Sequence, residues 1–197
     1  MCCADYGIIR VSLSDRKEKN MQMTEQNAQS ENEQKLGVYR PQLALYHPNG
    51  KGSGGAAKFE LHPAHNSSAG CVMLKMAAQS AVACRAGEAT QFARFDWENA
   101  ITVKLDFADI SAMLQVFNGE CESLGEGRGL YHRSAKAATK IAMRHIVEPK
   151  PGYSLDLYRT STSDNSETRT HLLITQTEAE GLRAAILGSM SAICFGV

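Results

Sequence analysis

Four places in this chain gather side chains that could do chemistry. Gly50 to Gly55 is glycine-rich and carries Lys51, the composition of a loop that cradles phosphate. It lies between two alternating runs, however, and no helix N-terminus follows it to receive an anion, so it reads as a hairpin turn. His62 and His65 stand three apart across Pro63, without the thiol or carboxylate pattern that would complete a metal site. Asp106 and Asp109 could form a carboxylate pair, but helix capping accounts for both. The six cysteines are Cys2, Cys3, Cys71, Cys84, Cys121 and Cys194, with no two at CxxC spacing. That usage predicts mostly buried, reduced thiols. The chain contains no GxSxG, P-loop, HExxH or GxGxxG motif and no nucleophile with its base. The expectation is a protein that is not an enzyme, with no cofactor, no metal and no small-molecule substrate.

What remains is strand surface. Lys58, Lys75, Arg94, Lys104, Arg133, Lys136, Lys140, Arg144 and Arg159 fall mostly on strand-like runs, on the parity opposite the apolar residues, and Tyr46, Phe92, Tyr131 and Tyr158 interleave with them. Cations that track phosphates, with rings on which bases stack, make a single-strand platform. The nucleic-acid-binding set expected from this pattern is Lys58, Lys75, Arg94, Lys104, Tyr131, Arg133, Lys136, Lys140, Arg144, Tyr158 and Arg159. A half-exposed sheet with ordinary solvated charges is the plain alternative. The 21 basic and 21 acidic residues leave a net charge of zero. A whole-molecule field that would attract nucleic acid is therefore excluded, and affinity must come from a local patch.

The elements that must hold these residues follow from periodicity. Ile101, Val103 and Leu105 alternate with Thr102 and Lys104, the mark of a half-buried strand. At Asp106 the period changes, and Ile110, Met113, Leu114 and Phe117 form one helical stripe. Asp106 is the expected N-cap, and Asn118-Gly119 the stop. Upstream, strands are expected over Gln42 to His47, around Ala57 to Leu61, around Val72 to Met76, and over Phe92 to Leu105. The last is long enough to bend or bulge. Ser80 to Thr90 reads as a connection. After the glycine-rich segment Gly125 to Gly129 the pattern repeats. Strands are expected over Leu130 to Ser134, Ala137 to Val147, around Tyr153 to Leu157, and over Arg169 to Thr175. A helix over Thr177 to Cys194 follows, with Thr177 and Glu180 as its capping box and Leu182, Ile186, Met190 and Ile193 as its stripe. The reading is α+β: two ββββα repeats, two antiparallel four-stranded sheets with helices.

Phe95-Asp96-Trp97, leading to Ile101-Thr102-Val103-Lys104-Leu105 and the helix through Gly119, resembles the Whirly family of single-stranded-DNA-binding proteins of plants, which carry Tyr-Asp-Trp before this strand and helix. Tyr46 to Phe59 looks like their first hairpin. There Lys51-Gly52 and Gly55-Ala56-Ala57-Lys58-Phe59 match a Lys-Gly-Lys-Ala-Ala-Leu motif in part. Thr175 to Ile186 resembles their last helix. The likeness covers roughly residues 39 to 197 and extends in fold to the guide-RNA-binding proteins of kinetoplast mitochondria. It implies sheets packed like blades, helices gathering four subunits, and a buried tryptophan at Trp97. The function expected is binding of single-stranded DNA with little sequence preference, by basic and aromatic residues at sheet edges between the subunits of a homotetramer. A single-stranded-RNA-binding or annealing protein of the same fold, or an assembly protein without nucleic acid, is the alternative.

Residues 1–36 are expected to form a disordered tail, and 37–197 the binding domain. Asn20 to Lys35 holds almost no apolar residues. Met21 or Met23 could be the start, Cys2-Cys3 could be acylated, and the scattered basic residues faintly suggest an organelle presequence. No apolar run approaches a membrane-spanning length. The expected location is intracellular: cytoplasmic or nucleoid-associated in a bacterium, organellar in a eukaryote. The two helix stripes look larger than isolated helices need, so part of that surface is expected to meet neighbouring subunits.

Overall fold

The computed structural model describes residues 40–197, apart from 67, 87 and 88. The expectations for the tail, its cysteines and its start therefore lie outside the described residues.

The first sheet is built on β3 (Cys71–Ala81), which pairs antiparallel with β2 (Gly55–His62); β2 in turn pairs with β1 (Gln42–His47). Each strand alternates, turning Leu45, Ala57, Phe59, Val72, Leu74 and Met76 inward. On the far side of β3 the expected single strand comes as two pieces. Arg94–Phe95 pairs with the end of β3 across a register shift, and Ile101–Leu105 pairs with its beginning. Between them Asp96 accepts from the Asn99 backbone N–H at 3.1 Å and side-chain amide at 2.8 Å, closing a turn that interrupts the ladder. The Ser80 to Thr90 stretch is also more structured than a plain connection. It holds the end of β3 and a short hairpin of β4 (Cys84–Ala86) and β5 (Ala89–Gln91). The two pieces after it are β6 and β7 in chain order.

Helix α1 (Phe107–Phe117) starts as expected at Asp106, whose carboxylate accepts from the Ala108 and Asp109 amides while Asp109 accepts from the Asp106 amide. A 3₁₀ segment (Leu124–Gly127) leads into the second sheet, which has the order β8 (Leu130–Arg133), β9 (Ala137–Ile146), β10 (Gly152–Ser161) and β11 (Glu167–Thr175), all antiparallel. Helix α2 (Gln176–Phe195) closes the chain. Its cap lies two residues before the expected one. Thr175 accepts from the Glu178 amide at 3.3 Å, and Glu178 accepts from the Thr175 amide at 2.9 Å. The sequence Thr-Gln-Thr-Glu-Ala-Glu offers two Thr-x-x-Glu boxes offset by two. The first wins because Thr175 is still extended in the ladder opposite Gly152, and Glu180 pairs instead with Arg183.

The inner faces of both sheets and the two helices share one hydrophobic cluster. Helix α1 packs on α2 and β9, while α2 reaches across to β2, β10 and β11. Ile110, Met113, Leu182, Ile186 and Ile193 are almost wholly buried within this single chain. Each such side chain contributes roughly 1.5–3 kcal/mol. Most of the helix stripes is thus used in the chain's own core, while Leu114 and Met190 are only partly buried. The apolar surface left over is different: Leu173 and Leu187 are about half exposed. The two sheets meet closely at Gly55, where a Cβ would run into the His171 carbonyl oxygen. Expected burial fails for the thiols: Cys71 is buried, but Cys84, Cys121 and Cys194 are exposed. No described helix is long and apolar enough to cross a membrane.

Candidate nucleic-acid interface

The second sheet turns one parity of each strand away from the core, and register brings the outward residues into rows. Tyr131 on β8 stands opposite Lys140 on β9, Lys140 opposite Tyr158 on β10, and Tyr158 opposite Arg169 on β11. The row alternates ring, cation, ring, cation across all four strands. The Lys140 ammonium lies 5.6 Å from the Tyr131 ring and 5.8 Å from the Tyr158 ring, and the Arg169 guanidinium 5.3 Å from Tyr158. These distances are within cation–π range. Tyr131 is 69% exposed, so its face remains open for stacking.

Arg169 is held from below. Asp156, outward-facing yet only 7% exposed, accepts on Oδ1 from Arg169 Nε at 3.1 Å and Nη2 at 2.7 Å. The same oxygen lies 2.9 Å from His171 Nδ1. The hydrogen bond and charge of Asp156 push the Arg169 guanidinium further above its ordinary range. Next along the face, Arg144 donates through Nε to Ser154 at 3.3 Å, and Arg133 is exposed on the same parity as Tyr131.

On the first sheet the outward row is Ala44, Lys58, Lys75 and Thr102. Beside it Trp97 sits half-buried on the sheet surface, not in the core. Lys58 Nζ lies 4.3 Å and Lys75 Nζ 5.9 Å from its ring, and Tyr46 meets it edge-on at 6.3 Å and Phe95 at 5.7 Å. The buried tryptophan implied by the resemblance is therefore corrected. The interruption at Asp96 to Asn99 takes Trp97 out of the alternating ladder, and the inward sites on β3 and β7 are already filled by Leu74, Met76, Ile101 and Val103. Lys104 points outward on β7, and Arg94 is exposed at the end of β3 on β6.

Lys136 and Arg159 are separated from this set. Arg159 shares the parity of Leu155 and Leu157, so it projects from the opposite face. It lines a polar cleft with Lys136, Glu98, Asn99, Ser161 and Thr168. The glycine-rich loop with Lys51 is a turn whose amides are already used. Asn49 Oδ1 accepts from the Lys51 and Ser53 amides, and the buried Gln79 accepts from those of Asn49 and Gly54. His62 pairs with Glu60 at 2.8 Å. Among the described residues no group of three or more His, Cys, Asp or Glu side chains could hold a metal ion.

Arg169, Trp97 and Asp156 are absent from the expected set. Arg169 was within reach, because Leu172 and Ile174 inward puts residue 169 outward. The position of Trp97 hung on the strand break, and Asp156 looked like an ordinary solvated charge between Leu155 and Leu157.

No known protein family matches the chain by sequence, and no curated protein matches it either. Solved structures do. WHY1 from Arabidopsis thaliana superposes with a TM-score of 0.64 at 15% identity, over 81% of this chain and 88% of that one. The plant transcriptional regulator PBF-2 follows at 0.62 and 15%, over 80% and 84%. A guide-RNA-binding protein complex bound to its guide RNA gives 0.51 and 16%, over 78% and 91%. With its paired ββββα units, antiparallel sheets and shared helical core, the chain has the Whirly-like fold.

Proposed function

We propose that this protein binds single-stranded nucleic acid, DNA in preference to RNA, on the outward faces of its two sheets and with little sequence preference over most of the strand. The observation that carries this reading is the row Tyr131, Lys140, Tyr158 and Arg169. Rings supply stacking worth about 1–3 kcal/mol per base, and the cations between them meet the phosphates. Lys58, Lys75 and Trp97 offer the same chemistry on the first sheet. The protein acts by binding and not by catalysis, inside the cell, as a homotetramer whose contacts use surface such as Leu187 on α2. Residues 37–197 carry the activity, and 1–36 are dispensable for it. A single-stranded RNA reading is favoured by one finding, the likeness to a complex bound to guide RNA.

Titration of labelled single-stranded DNA, single-stranded RNA and duplex DNA tests the reading. The single strand should bind far more tightly than the duplex, whose bases are already stacked. Equal affinity for duplex and single strand would overturn the platform, and tighter RNA binding would select the second reading. Light scattering should report four times 21.4 kDa; a clean monomer would refute the assembly.

A further inference from the structure

A carboxylate is a poor neighbour for a phosphate chain, yet Asp156 lies in the middle of the proposed binding face. Its carboxylate is about nine-tenths buried. All three of its hydrogen bonds among the described residues converge on Oδ1, and Oδ2 takes none. Asp156 forms part of a polar pocket of about 420 Å³, walled by Ser123, which precedes the 3₁₀ segment, by Gly127 within it, and by Lys140, Arg144, Tyr158 and Arg169 of the sheet. Arg169 already balances the charge of Asp156, so Oδ2 is left as an acceptor that repels a nearby phosphate less. Arg144 is tied to Ser154 through Nε alone, leaving its terminal amino groups to donate. Tyr158 supplies a ring beside the pocket.

An acceptor next to a guanidinium donor, beside an aromatic ring, matches a base edge that carries an amino donor and a carbonyl acceptor; guanine and cytosine both do, and guanine has the larger face to stack. Single-stranded bases are read by stacking and by hydrogen bonds to their Watson–Crick edges. Guanine presents the O6 acceptor and the N2 amino donor on the same edge. Thymine and uracil present two carbonyls, with no amino group for a carboxylate to accept from.

Resting on the single-strand reading, we propose that the pocket over Asp156 is a nucleobase site selective for a base bearing an amino group, guanine above all. Asp156 Oδ2 accepts from the N2 amino group, Arg144 donates to O6, and Tyr158 stacks on the ring. The site gives a largely sequence-tolerant platform one position of preference.

The test uses the full chain and a short thymidine homopolymer in which one central base is replaced by guanine, or by hypoxanthine, which lacks only the 2-amino group. Fluorescence anisotropy reads the affinity. One charge-assisted hydrogen bond predicts that guanine tightens binding about tenfold, while hypoxanthine falls back toward thymine. Asp156→Asn should abolish the difference between guanine and hypoxanthine, whatever it does to binding of the plain homopolymer. If Asp156 only anchors Arg169, the variant will weaken all strands equally and the difference will persist, which overturns the proposal. Should the variant not fold, the modified bases on the unaltered protein decide alone. Equal affinity for all three oligomers removes the base site and leaves the platform standing; no binding to any of them removes both.

Discussion

On the outward face of the first sheet the aromatic rings touch one another; on that of the second, a cation stands between the tyrosines. Tyr46 meets both Phe95 and Trp97, and two lysines lean over the Trp97 ring. Tyr131 and Tyr158 are instead separated by the β9 strand and bridged by Lys140. The two sheets come from the same strand pattern, so the difference lies in local chain path. In the first repeat the fourth strand breaks at Asp96, and the row across from Tyr46 holds the small residues Ala56 and Ala77, both fully buried. In the second repeat the ladder is unbroken, and register alone spaces the residues. The first face has spent part of its ring surface on stability, whereas the second leaves Tyr131 largely exposed.

That contrast can be broken most sharply at Tyr158. Tyr158→Ala removes the ring shared by Lys140 and Arg169, and single-strand binding should fall by about 1–3 kcal/mol. The slope of log affinity against log salt should stay where it is, and the melting temperature should drop slightly, because Lys140 and Arg169 lose their shared ring. Titration at several salt concentrations checks the first pair, and calorimetry the last. Trp97→Ala should behave differently. It loses edge-on ring contacts and lysine contacts, so the fold should weaken by about 1–2 kcal/mol. A core tryptophan would cost about 3–5 kcal/mol. A loss in the larger range, measured by denaturant unfolding, would mean that the ring is closed into the core.

The helix caps give the next contrast. Asp106→Ala should cost about 1 kcal/mol by removing the cap of α1. The Asp109 amide hydrogen bond holds the Asp106 carboxyl below its usual range, although partial burial opposes this. A carboxyl lowered in the folded state stabilises the protein above its unfolded pKa of about 3.9 and loses that contribution as pH falls through the folded value. Asp106→Asn, which caps without titrating, should therefore flatten part of the acid limb of stability against pH. For the carboxylate in the cap of α2, burial pushes Glu178 up, but hydrogen bonds from Thr175 and the nearby His47 outweigh it and leave the group lowered. Acid should loosen both caps, so Asp106→Asn should remove only the share belonging to α1.

The smallest expected effect belongs to the lysines. Lys58→Ala and Lys140→Ala should each lower the salt slope by about 0.7, which over a threefold change in salt is about a factor of two in affinity. Lys58→Ala should also lower the melting temperature slightly, because its ammonium rests on Trp97 at 4.3 Å. If the two variants behave alike in both measurements, the difference between the faces is one of appearance only.

Much of this was legible in the residues. Ile101-Thr102-Val103-Lys104-Leu105 alternates cleanly because one face of β7 is buried and the other is wet, and the change of period at Asp106 marks the helix start. Parity likewise placed Lys140 and Tyr131 outward. It also gives Arg159 the inward parity of Leu155 and Leu157, but it could not show that the packed core has ended there and that a polar cleft replaces apolar neighbours. Nor could it show that Asp156 and Ser154 are buried on the outward face, because Arg144 and Arg169 fold over them from neighbouring strands. Residues 10 to 15 apart in sequence meet there only through register. Local pattern carries the alternation, but the rows across strands depend on which residues the turns bring opposite one another.

Gly55 has a consequence for how a long strand would be held. With the His171 carbonyl pressed against the site of a missing Cβ, any larger residue at position 55 would push the two sheets apart and change the offset between their outward faces. An oligomer long enough to reach both faces then meets the second one at an effective concentration set by the linking nucleotides and not by the bulk solution. Affinity should accordingly jump at the length that spans the gap, after a shallow rise for shorter pieces. A single glycine, bearing no side chain of its own to touch a ligand, would then set the ruler by which strand length is measured.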